Sequence, residues 1–150
     1  MKKLAFAGAW LIALLTAPTV HSQDVRTMNN DAQDIVVSQH LIDRHFEIWN
    51  ERDKAMRADK FPTVYTPDIF VADYAEIASG YANVNRLIER VQTEHADFAF
   101  TPDPVSWNHG LGRVTWGYGP KDNPNLVRGE DIFSIQDGKL ASLRVFLNKN

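Results

Sequence analysis

The sequence predicts an α+β domain, a curved sheet with helices on one face, and three observations lead there. Apolar residues recur at helical spacing from about Asp31 to Trp49 and again from Val84 to Val91. Beyond Phe98 the pattern changes to short apolar runs punctuated by proline and glycine. Two of these runs flank Asp137-Gly138, a pair that tolerates the positive φ angles of a two-residue hairpin turn. Helices first and an antiparallel meander afterwards make a two-layer arrangement, with one early strand among the helices.

The elements follow in order. Lys2-Lys3, an uncharged run Leu4–Ala17 and Val20-His21-Ser22 before a cut site read as a signal peptide over 1–22. The run is short for a membrane span, so removal after Ser22 and export to a periplasm or the medium are expected, with an uncleaved anchor as the alternative. Residues 23–30 read as a flexible lead-in and 31–150 as the domain. In the first helix Ile35, Leu41, Ile42, His45, Phe46, Ile48 and Trp49 share one arc. Asp53 is a natural N-cap for a short helix to about Lys60, which Phe61-Pro62 ends. Ile69–Tyr74 reads as a strand, and Ser79-Gly80 opens a third helix with Val84, Leu87, Ile88 and Val91 inward. Phe98–Phe100 begins a strand that Pro102 and Pro104 bend or confine to an edge. Leu111–Gly119 is another strand, followed by the polar loop Lys121–Asn125 and the hairpin.

If Gln136 pairs with Lys139 at the turn, Ile135 faces Leu140, Phe133 faces Ser142 and Asp131 faces Arg144. Glu130, Ile132 and Ser134 then face Val145, Leu143 and Ala141 on the other side. Both faces are largely apolar, each with one carboxylate, so both need cover. A homodimer through the outer face is the expected solution. Either Phe133, Ile135, Leu140 and Phe146 lie outside, or Glu130, Ile132, Leu143, Val145 and Leu147 do.

The chain has 150 residues, enough for one domain with a real core. There is no cysteine, hence no disulfide, thiolate nucleophile or thiolate metal site. Its formal charge is −3, and loss of Lys2 and Lys3 with the leader leaves 14 basic against 19 acidic residues. An acidic chain without a Lys/Arg cluster has little electrostatic reason to bind nucleic acid or an anionic membrane. No phosphate loop, dinucleotide fingerprint, nucleophile elbow or metal-ligand spacing occurs. The expectation is therefore no cofactor and no metal.

The order Phe46, Trp49-Asn50-Glu51-Arg52-Asp53, Tyr65-Thr66-Pro67-Asp68, Val71-Ala72-Asp73 and Gly80 resembles the SnoaL-like branch of the nuclear transport factor 2-like superfamily. The second half agrees, through His109, Arg113-Val114-Thr115-Trp116, Gly119-Pro120, Gly129-Glu130-Asp131, Asp137-Gly138-Lys139-Leu140 and Phe146-Leu147. The likeness spans Ile35–Asn148. It implies a cone, a strongly curved antiparallel sheet wrapped around three N-terminal helices, with an apolar pocket at the open end. That superfamily holds isomerases, hydrolases, dehydratases, cyclases and proteins that only bind, so the fold does not choose a reaction.

Against ketosteroid isomerase, the resemblance places Asp73 where that enzyme has its base and His45 where it has an oxyanion-hole tyrosine. A carboxylate at the rim of an apolar pocket suits a general base, and an imidazole can donate a hydrogen bond or move a proton. Glu130 and Asp131 compete for the second acidic position, since adjacent strand residues face opposite ways; counting back from the turn favours Glu130. Arg113 resembles the arginine of limonene epoxide hydrolase, but Thr115 and Val145 stand where that enzyme has carboxylates. Arg113 orients a ligand or pairs with Glu130. Trp49, Tyr65, Phe100, Trp116, Val145 and Phe146 complete the expected lining. Three functions remain open: a cofactor-free acid–base enzyme of isomerase, cyclase or hydrolase type on a small hydrophobic molecule, a binding protein for such a molecule, or a dimeric interaction module.

Overall fold

The computed structural model describes residues 21–148, so all of the expected leader except its last two residues lies outside it. Helix α1 (His21–Asn50) includes residues 23–30, set apart above as a lead-in, because a helix once nucleated extends cheaply through polar residues. The arc named above holds from Leu41 onward: Leu41, Ile42, His45, Phe46, Ile48 and Trp49 are buried, whereas Ile35 is exposed. Asp53 caps α2 (Lys54–Val64), its carboxylate accepting the Ala55 and Met56 N–H groups at 2.8 and 2.9 Å. The helix runs two residues past Pro62, and the Tyr65 N–H closes it on the Phe61 carbonyl.

Strands β1 (Tyr65–Ala72) and β2 (Ile77–Ser79) pair antiparallel before α3 (Tyr81–Glu94). Then come β3 (Ala99–Pro102), β4 (Ser106–Asn108), β5 (Leu111–Gly119), β6 (Val127–Gln136) and β7 (Lys139–Leu147). The sheet order is β2-β1-β7-β6-β5-β3, with β4 also on β5. It is a curved, unclosed mixed sheet: β7 lies parallel to β1, so the expectation of a wholly antiparallel sheet is corrected there. The final strand returns to the early strand's flank pointing the same way, a long-range pairing no local pattern encodes. The prolines confine β3 and β4 to short pieces along β5, as their missing N–H groups require.

The junction Trp49–Asp53 is a structural knot. Asn50 bonds both the N–H and the carbonyl of Phe100, at 2.8 and 2.9 Å. Arg57, 1% exposed, reaches the carbonyls of Glu51 and Arg52 together with the side-chain oxygens of Asn85 and Gln92. Gln92 in turn donates to the Trp49 and Glu51 carbonyls. The carbonyls that α1 leaves unpaired at its C-terminus are thus satisfied by α2 and α3, which locks three helices at one point.

The hairpin turns at Asp137 and Gly138, with φ of 51° and 71°. Gln136 faces Lys139 and Ile135 faces Leu140, as expected, but then the register shifts. Ser134 pairs with Ser142, Phe133 with Leu143, Ile132 with Arg144 and Asp131 with Val145. Ala141 is the extra residue of a β-bulge, and one extra residue exchanges the faces of the β7 residues beyond it. The expected Asp131–Arg144 and Phe133–Ser142 pairs therefore do not form. Phe133, Leu140, Leu143 and Asp131 all face the helices, while Arg144 lies over the Phe70 ring at 4.4 Å on the outer face. Phe133→Glu accordingly strikes the core: burying its carboxylate should cost about 4 kcal/mol or more, read as a collapse of the thermal transition.

Candidate active site

The site begins with a missing side chain. Gly129 of β6 lies opposite Trp116 of β5, and a Cβ on Gly129 would stand 2.5 Å from two carbons of the indole. Without it the indole lies across β6, and its N–H reaches the Oδ1 of Asp131, two residues along, at 3.0 Å. Gly112 does the same for the Phe133 ring nearer the closed end. Glycines opposite aromatics let the concave face be floored with rings rather than with upright side chains.

Helix α1 supplies the second polar group. His45, one turn after Leu41 and 2% exposed, has its Nε2 3.8 Å from the Oδ2 of Asp131. Its Nδ1 lies 2.9 Å from the phenol oxygen of Tyr65, the fully buried first residue of β1. Burial acts on both titratable partners of the contact. It pushes the Asp131 carboxyl up to about 7, with the Trp116 hydrogen bond pulling the other way and the nearby Glu130 charge adding to the rise. It pushes the His45 imidazole down to about 3. Near neutral pH the imidazole is uncharged and the carboxyl close to half-titrated, so their approach is not an ion pair.

Both groups open on a cavity of about 310 Å³. Phe46, Trp49, Phe100, Trp116 and Tyr118 wall it with rings; Phe100 stacks on Tyr118 at 4.2 Å and meets Trp116 edge-on at 5.2 Å. Leu143 and Val145 come from β7. The mouth is charged. Asp73, just past β1, lines it, and its Oδ1 accepts the Ala75 and Glu76 N–H groups at 2.7 and 2.8 Å. Arg90 of α3 lies 3.5 Å from Asp73, 3.5 Å from Glu76 and 3.1 Å from Glu94.

Seven of the residues singled out from the sequence meet around this cavity: His45, Trp49, Asp73, Phe100, Trp116, Asp131 and Val145. Four do not. Glu130 faces outward and binds Arg113 at 2.6 Å, so of the two acidic neighbours it is Asp131 that lines the cavity, and Arg113 takes the alternative expected of it, the pair with Glu130. Phe146, 45% exposed, sits opposite Glu130 on the outer face. Tyr65 lies behind His45 rather than on the cavity wall. The bulge at Ala141 accounts for the face of Phe146, which follows an unexpected register. Of the lining residues the sequence reading passed over, Arg90 and Glu94 had a signal, four residues apart on the third helix.

No family sequence model matches the chain, and no curated protein matches it. Solved structures do. An Agrobacterium tumefaciens protein assigned as an isomerase of the SnoaL-like family superposes with a TM-score of 0.68 at 17% identity, over 73% of this chain and 96% of that one. A protein of the nuclear transport factor 2-like type from an Exiguobacterium species gives 0.60 at 17%, over 73% and 99%. The chain has the nuclear transport factor 2-like fold. A Sinorhizobium meliloti protein assigned as a polyketide cyclase shares this fold with a TM-score of 0.58 at 16% identity, over 71% and 93%. In this nuclear transport factor 2-like cone, the cavity lies between α1, α3 and the concave face of the sheet.

The opposed shifts of the deep pair set a pH signature. Asp131 binds its proton more tightly when folded, so its contribution falls as pH rises from about 4 to 7. His45 binds its proton less tightly when folded, so its contribution rises from about pH 3 to 6.5. The two nearly cancel between pH 4 and 6.5. Asp131→Asn removes one arm, and its unfolding free energy should then climb with pH by about 1.4 kcal/mol per unit across that window. Above pH 7 the variant should be the more stable protein. Urea melts at pH 5 and pH 8 check both signs.

Proposed function

We propose that the protein is a cofactor-free acid–base enzyme of isomerase or cyclase type, acting on a small, uncharged, largely apolar molecule that carries a carbonyl oxygen. The observation that carries this is the pairing of a carboxyl that titrates near neutrality with an uncharged imidazole on the floor of an aromatic cavity. A carbonyl oxygen seated at His45 Nε2 meets a neutral donor, which stabilises a developing enolate without giving up its proton. Asp131 Oδ2, 3.8 Å from that nitrogen, is placed to take a proton from the adjacent carbon and return it elsewhere. Asp73 shapes the mouth rather than acting as the base, because its Oδ1 is occupied by two backbone amides. The mouth also supports an uncharged substrate: three carboxylates share one guanidinium there, a field that repels anions. The isomerase and cyclase assignments of structural neighbours agree with proton transfer beside a carbonyl.

The test is exchange of the α-hydrogens of 2-tetralone in D2O, followed by NMR. Wild-type protein should accelerate exchange, Asp131→Asn should lose about a hundredfold or more, and Asp73→Asn less than about tenfold. Tight binding without exchange supports the second reading, a binding protein, which the 4% exposure of Asp131 favours.

We also propose export and self-association. The basic start and uncharged run of the leader support the first. For the second, Phe70, Ile132 and Phe146 lie on the outer sheet face among Arg144, Arg113 and Glu130, a smaller apolar patch than the unshifted register would leave. Intact mass and light scattering on exported material should give a chain starting near Gln23 and twice its mass; a monomer with Met1 retained rejects both.

A further inference from the structure

We infer that Tyr65 is a positioning residue that holds the His45 proton on Nε2, the nitrogen facing the cavity. The inference rests on the acid–base reading only for its effect on turnover; the proton's location stands on the following contacts. Tyr65 is fully buried, and its phenol makes one side-chain hydrogen bond among the described residues, to His45 Nδ1 at 2.9 Å. A buried O–H needs an acceptor, and Nδ1 is the one within reach. If Nδ1 carried the proton it would donate to the phenol oxygen, and the buried phenol proton would then be left without an acceptor.

A second observation points the same way. The indole N–H of Trp49 is buried without a hydrogen-bond partner, yet lies close enough to the Tyr65 hydroxyl to favour its ionised form. A donor on that side leaves the phenol oxygen as the receiving atom, so the Tyr65 proton points away from Trp49 and toward Nδ1. Burial pushes the phenol well above its ordinary pKa, so the proton stays on oxygen rather than moving to the ring. The remaining groups around the imidazole do not compete for it. Phe46 meets it edge-on at 4.8 Å and offers no hydrogen-bonding atom, and Trp49, tilted at 5.6 Å, carries only a donor. Asp131 is the ionisable group in contact on the Nε2 side, held by the Trp116 N–H at Oδ1, while Glu130 points to the opposite face of the sheet.

The consequence is directional. Tyr65 and His45 pass hydrogen-bond donation in one direction, and it emerges in the cavity as an Nε2–H. The other tautomer would present a lone pair to a carbonyl oxygen and repel it. Tyr65 does not line the cavity, so its role runs through His45.

The test is the tautomer itself, read without ligand on the full-length protein with ¹⁵N-labelled histidine. In wild type His45 should carry its proton on Nε2, with Nδ1 as acceptor. In Tyr65→Phe that preference should relax toward a mixture, and the Asp131 midpoint, read by infrared or ¹³C NMR, should rise by about half a unit as the lone pair comes to face it. Exchange of 2-tetralone should fall in kcat by about tenfold or more with little change in KM, the direction in which a wrong histidine tautomer acts. Wild-type His45 protonated on Nδ1 overturns the inference even if the variant does not fold. So does a folded Tyr65→Phe that keeps a pure Nε2–H form. Absence of exchange in wild type with the expected tautomer sinks the enzymatic reading and leaves this one standing.

Discussion

One residue too many in the last strand governs the site. The bulge at Ala141 shifts β7 by one position against β6, and every β7 side chain beyond it changes face. Leu143 and Val145 thereby join Asp131 and Phe133, which the regular alternation of β6 already points toward the helices, while Arg144 turns outward over Phe70. Had the hairpin run on without interruption, Asp131 would have faced Arg144 as an ordinary cross-strand pair. With Arg144 turned to the outer face instead, Asp131 has no cation opposite it, and burial drives it toward the neutral form. The unusual carboxyl is therefore a product of sheet register before it is a product of any neighbouring group.

The cost of that burial is limited by what surrounds it. A buried carboxyl with no partner would be severely unfavourable; the Trp116 N–H offsets part of this, and titration near neutrality offsets more. His45 makes the complementary adjustment by staying uncharged. Two glycines make room for the rings that cover this pair, so small residues on β5 and β6 help to set the burial that shifts both groups. The same site then has an uncharged donor and a titratable acceptor side by side, which suits proton transfer at a carbonyl compound and suits anions poorly.

The helices hold this arrangement at a distance. Arg57 and Gln92 gather the carbonyls at the end of α1, and Asn50 ties that end to β3. Since His45 lies on the same helix one turn before Trp49, whatever fixes the end of α1 also fixes where the imidazole meets the sheet. Residues 49–53, which carry much of the likeness to SnoaL-like proteins, act here through packing and capping rather than through contact with a ligand, Trp49 apart.

Much of this was legible in the residues. Helical spacing located the buried arc of α1 and the stripe of α3, Asp53 announced its helix, and Asp137-Gly138 announced its turn, because each depends on backbone geometry within a few residues. The inward face of His45 followed from the same periodicity. The spacing of Leu140 and Leu143, three apart where a regular strand needs two, held the trace of the bulge, but reading it required knowing which face the helices cover. The parallel pairing of β7 with β1, the choice of Asp131 over Glu130 and the place of Tyr65 behind His45 were decided by tertiary structure alone. Each depends on contacts between residues far apart in the chain, and burial, which sets the chemistry of the pair, exists only once those contacts have formed.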